Sequence, residues 1–181
     1  MGTSGQQFES AHLDYKIYIM NNTQSKGNAL ELKCIAKFIE LGYECSIPYG
    51  NSALYDFVVD IGGKFLRIQC KNSLHSYQSE TRSRDTGAFQ LFTRRQTVNT
   101  KEVKTYTYNS DEIDYFMTMF EDKFYLIPVE ECKSCKIIRI HPPKNNIKEY
   151  NRAENYLIDN VLLKICQGGR RFKSCHPDNR Q

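Results

Sequence analysis

The run Leu54-Tyr55-Asp56-Phe57-Val58-Val59-Asp60-Ile61-Gly62-Gly63-Lys64-Phe65-Leu66-Arg67-Ile68-Gln69-Cys70-Lys71 decides how this chain folds. Up to Ile61 it is nearly continuously apolar, broken by Asp56 and Asp60, and suits a well-covered strand. Gly62-Gly63 supplies two residues that take positive φ without strain, as a two-residue hairpin requires. From Lys64 onward the faces separate. Phe65, Arg67, Gln69 and Lys71 share one side, and Leu66, Ile68 and Cys70 share the other. The run therefore reads as a β-hairpin in which Gln69 and Lys71 point the same way and Asp56 is within their reach.

Upstream, Lys26 to Leu41 has the apolar spacing of a helix, and Gly42 stops it. Leu32, Ile35, Phe38 and Ile39 form the apolar arc of the wheel, with Cys34 and Leu41 beside it and Lys33, Lys37 and Glu40 opposite. Glu31 falls in the middle of that arc. Carboxylates are rarely buried without a partner, so the surface beneath this helix is expected to want a negative charge. Tyr43 to Pro48 alternates as a short strand. Residues 72–105 are polar and basic and read as a long loop or an irregular helix. Ser110 looks like an N-cap, with Asp111 and Glu112 in a first turn and Ile113, Phe116, Met117 and Phe120 as the stripe of a second helix. Phe124 to Val129 and Lys136 to His141 read as a hairpin around Cys132 and Cys135. Asn151 to Cys166 reads as a last helix with Ala153, Tyr156, Leu157, Val161 and Leu162 inward. This order predicts an α/β class: a mixed β-sheet flanked by helices. The expected division is a domain over 26–166 between flexible tails, 1–25 and a basic 167–181.

The chain has 181 residues, 40% hydrophobic and 25% charged, which is a globular composition for one domain. No apolar run is long enough to span a membrane, and no secretory signal is visible, so a cytoplasmic protein is expected. Net charge is +4, but residues 64 to 104 hold nine Lys or Arg against three Asp or Glu. A basic stretch on a near-neutral body suits a polyanion partner. Seven cysteines, an odd number, argue for reduced thiols. Cys132 and Cys135 have the spacing of half a zinc site without a second half, so no zinc is expected.

Glu31, Asp56, Gln69 and Lys71 are the candidates for chemistry. A carboxylate inside an apolar strand and a lysine at a strand end are each costly unless compensated. A divalent cation compensates both carboxylates. Glu31, Asp56, the Gln69 amide and the Cys70 backbone carbonyl make an all-oxygen ligand set suited to Mg²⁺. With Lys71 beside it, that set can hydrolyse a phosphodiester.

In this arrangement Glu31, Asp56 and Gln69-Cys70-Lys71 resemble the PD-(D/E)xK nuclease superfamily, whose core, the restriction-endonuclease-like fold, has the same helix-then-hairpin order. Gln69 departs from the usual second acid. With 25 residues from Glu31 to Asp56 and 13 from Asp56 to Gln69, the pattern closely resembles homing endonucleases encoded in cyanobacterial group I introns. Lys26-Gly27, Gly42-Tyr43, Tyr55-Asp56-Phe57, Asp114-Tyr115-Phe116 and Tyr125 to Val129 extend the similarity. The resemblance implies a sequence-specific endonuclease acting on double-stranded DNA with Mg²⁺, for which Mn²⁺ can substitute. It also implies a homo-oligomer, dimer or tetramer, in a bacterial cell. A Holliday junction resolvase or repair nuclease of the same fold, or a DNA-binding module without activity, are the alternatives.

Arg67, Arg82, Arg84, Arg94, Arg95, Lys101 and Lys104 are the expected DNA contacts, although Arg67 could instead pair with Glu44 or Asp60. Outside the domain, Gly5 to Asp14 and Gly169 to Asp178 agree at five of ten positions. The T-arm of a tRNA gene reads as Phe8-Glu9-Ser10 in one frame, so both tails are expected to be translated tRNA-gene sequence.

Overall fold

The hairpin expected at Gly62-Gly63 forms, pairing Phe57–Ile61 with Lys64–Ile68. Both glycines adopt positive φ, 62° and 91°, and the Gly63 amide donates to Asp60 Oδ1 at 2.6 Å. The computed structural model describes residues 23–50, 52–77, 85–99, 102–142 and 150–168. The chain order is α1 (Thr23–Glu40), β1 (Glu44–Ser46), β2 (Phe57–Ile61), β3 (Lys64–Cys70), β4 (Ser73–Tyr77), β5 (Asp85–Phe92), β6 (Arg94–Asn99), β7 (Glu102–Thr107), β8 (Tyr115–Phe120), β9 (Lys123–Pro128), β10 (Cys135–Arg139) and α2 (Ile158–Gly168).

Five strands form one sheet in the order β1-β2-β3-β8-β9. All neighbours are antiparallel except β3 and β8, which run parallel, with Gln69 opposite Phe116. This is the mixed sheet of a restriction-endonuclease-like α/β fold. The β8–β9 turn uses Glu121 and Asp122, both at positive φ. A second sheet, β10-β5-β4, and a two-stranded ribbon, β6-β7, complete the described topology.

Alternation along the strands builds two cores, one on each side of the five-stranded sheet. Phe57, Val59 and Ile61, Leu66, Ile68 and Cys70, and Met117 and Leu126 face α1 and α2. Phe116, Phe120, Tyr125 and Ile127 face the second sheet through Phe89, Leu91 and Ile138. Helix α1 ends in a glycine cap: Gly42 takes φ 82° and the Tyr43 amide reaches back to the Phe38 carbonyl at 3.0 Å.

Several expectations are corrected. Helix α1 starts at Thr23, inside the segment read as tail, and α2 extends to Gly168. Residues 72–105, read as loop or irregular helix, contain β4, β5, β6 and most of β7. The helix expected from Ser110 is a turn followed by β8. An apolar run covered on both sides has no strand alternation to show, and it is spaced like a buried helix. The expected β9–β10 hairpin does not form, because β9 pairs with β8 and β10 with β5. The last helix is interrupted at Leu157, which bridges to Tyr125, with a short 3-10 turn before it. Arg82, Arg84, Lys101 and the two near-repeated tails lie outside the described residues. Among the described residues no helix is long and apolar enough to cross a membrane.

Candidate active site

Asp56 sits just before β2, where its amide donates to the Ile68 carbonyl at 2.8 Å. That bond fixes its side chain beside the end of β3. Its Oδ2 accepts the Gln69 side-chain amide at 2.8 Å and the Cys70 backbone amide at 2.6 Å. The Lys71 amide bonds the Met117 carbonyl at 3.0 Å, so β8 fixes the backbone from which the lysine departs. Lys71 Nζ lies 3.4 Å from the Tyr108 hydroxyl and 5.1 Å from its ring centre.

Glu31 reaches this point from the helix side, at the edge of the buried face. The core takes Leu30, Cys34 and Phe38, whereas Leu32 and Ile39 are 65% and 59% exposed. The inward direction is therefore rotated from the centre expected on the wheel, and Glu31 lies on its flank rather than in its middle. Because Leu66, Ile68 and Cys70 occupy the helix-facing side of β3, Gln69 and Lys71 project from the other. Asp56 bonds Gln69 and the Cys70 amide and feels the Lys71 charge, and its own charge acts on Glu31 from across the helix interface.

The electrostatics agree with a cation site. Burial raises the Glu31 carboxyl above the ordinary value, and repulsion from Asp56 adds to it. Burial also raises Asp56, outweighing the Cys70 amide, the Lys71 charge and the Gln69 amide. Burial lowers Lys71 despite the opposing pull of Asp56, with the Arg95 charge pushing in the same direction as burial. Among the described residues nothing donates to Asp56 Oδ1, and no cluster of three His, Cys, Asp or Glu forms. Two repelling, partly buried carboxylates and the Cys70 main-chain carbonyl fit a hard divalent cation, and the Gln69 amide, which here turns Nε2 to Asp56 and to that carbonyl, would add its oxygen by turning over.

Arg67 is engaged differently from either expected partner. It binds Asp114 through Nε at 3.0 Å and Nη2 at 3.1 Å, its own amide donates to Asp114 Oδ2 at 2.7 Å, and its guanidinium also bonds the Asp111 and Ser110 carbonyls. It clamps the turn before β8. Glu112, in that turn, holds Arg95 at 2.8 Å, and the Arg95 guanidinium lies over the rings of Tyr106 and Tyr108. Arg94 lies over Phe92, and Lys104 makes a surface pair with Glu102 at 3.3 Å. Tyr108 and Glu112 carried no motif in the sequence. No local pattern marked Tyr108, because β7 beside it is exposed along its whole length, and Glu112 was read only as an acid in a helical first turn. Burial lifts the Cys132 thiol to about 12.

A helix, a mixed sheet and an Asp-centred site at the end of a hairpin define a nuclease of the restriction-endonuclease-like class. The PD-(D/E)XK endonuclease family model matches residues 21–159, and the chain belongs to that family. It is a nuclease, and nucleases of this family use divalent metal ions. Among solved structures, the bacterial homing endonuclease I-Ssp6803I is similar in fold. The match has a TM-score of 0.64 at 22% identity and covers 84% of this chain and 100% of that one. No curated protein matches the chain.

Proposed function

We propose that this nuclease is a homing endonuclease, hydrolysing phosphodiester bonds at a specific site in double-stranded DNA with Mg²⁺, Mn²⁺ being able to substitute. It would spread a group I intron in the bacterial cytoplasm. The observation that carries the chemistry is the arrangement around Asp56: Gln69 and Cys70 bonded to its Oδ2, the Lys71 charge acting on it, and its own charge acting on Glu31. Asp56, Glu31, the Gln69 side-chain oxygen and the Cys70 carbonyl are the proposed ligands. A divalent ion held by these residues would supply the Lewis acidity that polarises a phosphate and makes a bound water more acidic. Lys71 supplies a cation for the charge developing on the phosphate oxygens. The likeness to I-Ssp6803I supports the homing substrate, as does a glutamine at position 69.

DNA contact is assigned to the β6–β7 ribbon, which carries Arg94, Arg95 and Lys104 and is joined to the site through Tyr108. Arg82, Arg84 and Lys101 are proposed as further DNA contacts on their charge alone. A homo-oligomer, dimer or tetramer, supplies the two sites that cutting both strands needs. The solvent-facing Leu32 and Ile39 on α1 are consistent with such an assembly.

The test is cleavage of bacterial genomic DNA whose target is not interrupted by this reading frame, with Mg²⁺. Discrete fragments from the wild type are expected, and none from Asp56→Ala or Lys71→Ala, with DNA binding largely kept in both. Cutting confined to four-way junctions would assign the resolvase alternative. DNA binding without any cutting would assign the inactive module, and wild-type rates in either variant would refute the site.

A further inference from the structure

Tyr108 stands where the DNA-facing ribbon meets the site, and no motif assigns it a role. It is half-buried and fixed on three sides. Phe116 meets its ring edge-on with centroids 5.3 Å apart. The Arg95 guanidinium lies 5.4 Å from its centre. Lys71 Nζ lies 3.4 Å from its hydroxyl, within hydrogen-bond reach. Phe116 is also the register partner of Gln69, so the ring is anchored to the same rung of the sheet as the motif. Arg95 is held from behind by Glu112, whose other oxygen takes the Asn109 amide at 3.3 Å. A flexible four-carbon side chain ending near a reacting phosphate needs such a constraint, because misplacement by about 1 Å forfeits much of the catalytic gain.

We propose that Tyr108 is a positioning residue: its hydroxyl holds the Lys71 ammonium at the end of β3, and its ring, gripped by Arg95, joins that lysine to the β6–β7 ribbon. The proposal rests on Lys71 being part of the cutting site. The phenol oxygen accepts a hydrogen bond from the ammonium, and with the ring itself held by Phe116 and Arg95 that bond fixes where Nζ sits.

Tyr108→Phe keeps the ring, the Arg95 stack and the Phe116 contact, and removes only the hydroxyl. Its single-turnover cutting rate is expected to fall about tenfold, the size of one hydrogen bond to a charged group. DNA affinity measured in Ca²⁺ and the melting temperature stay at wild-type values. In a Lys71→Arg background, where the original geometry is already absent, adding Tyr108→Phe should slow cutting by less than about twofold. An undiminished rate in Tyr108→Phe overturns the proposal, as does a rate loss matched by an equal loss of DNA affinity, or a full tenfold effect in the Lys71→Arg background. Lys71→Ala separates the two levels. If it is inactive while Tyr108→Phe cuts normally, only the positioning role fails. If Lys71→Ala itself cuts at the wild-type rate, the underlying site fails.

Discussion

Gln69 donates its side-chain amide to the Asp56 oxygen that the Cys70 main-chain amide also binds, at 2.8 and 2.6 Å. The orientation of the amide follows from the carboxylate, since the reverse would set two oxygens against each other. Nε2 is thereby committed to Asp56 and, at 3.4 Å, to the Cys70 carbonyl, so the amide must turn over for its oxygen to join a cation held by those two groups. A glutamate at this position would repel Asp56 where the glutamine supports it. Gln69→Glu is therefore expected to lose about 1–3 kcal/mol of stability in EDTA, with part of the loss restored by Mg²⁺. Urea unfolding in both conditions measures this, and equal stability in EDTA would show that the bond supports nothing.

The carboxyl of Glu31 titrates above its ordinary 4.5 because of burial and then the Asp56 charge. The folded state thus binds this proton more tightly than the unfolded chain. Below the ordinary value the group costs nothing. As pH rises through the raised value, ionisation makes it destabilising, and the cost is complete at neutral pH. Glu31→Gln removes that cost in metal-free protein. Because the group is partly exposed, the gain at pH 7 is a few tenths of a kcal/mol, about 1 °C in Tm, and it vanishes under acid. The same variant should lose cutting activity, so stability and function move in opposite directions. Melting curves from pH 3 to 8 without metal check the sign.

Of the fold, the sequence disclosed what local rules control. The Gly62-Gly63 turn, the two faces of β3 and the Gly42 stop each depend on a few neighbouring residues. Strand β8 was hidden because both of its faces are covered: Met117 packs towards the helices while Phe116 and Phe120 pack towards the second sheet, so no polar side marks the period. The β6–β7 ribbon was hidden for the opposite reason, since β7 is exposed along its whole length and has no apolar side to mark it. The quartet around Asp56 was legible as residue types at set separations. Its arrangement, with Glu31 on the flank of α1, depends on which arc of the helix the core accepts. Tyr108 was invisible because its role is made by three side chains from distant segments.

Arg67 and Asp114 offer a second pH test with the opposite sign. Burial would raise Asp114, but the hydrogen bonds and charge of Arg67 outweigh it and hold the carboxyl below the ordinary 3.8. A depressed carboxylate contributes stability above the unfolded value, and that contribution disappears as pH falls through the folded one. Arg67→Ala should cost about 1–3 kcal/mol at pH 7, with the gap narrowing below the ordinary carboxylate value. The turn also carries Glu112, so the variant should loosen Arg95 and slow cutting. Unfolding at pH 7 and pH 3 separates this from a DNA-contact role, which would leave stability unchanged.

The ribbon sorts its cations by face. Arg95 stands opposite Tyr106 and Thr97 opposite Lys104, so these four share a side, while Arg94 and Thr107 occupy the other. The Arg95 side is the one that turns to Tyr108 and the site. DNA lying along it would meet Lys104 and miss Arg94. The surface pair of Lys104 with Glu102 is too exposed to hold the lysine back. Removing one lysine or arginine from a phosphate lowers the slope of log affinity against log salt by about 0.9. Lys104→Ala should therefore reduce that slope by about one, and Arg94→Ala should leave it unchanged. Titrations of DNA binding between about 50 and 200 mM salt decide it, and a reduced slope in Arg94→Ala with none in Lys104→Ala would place the duplex on the opposite face of the ribbon.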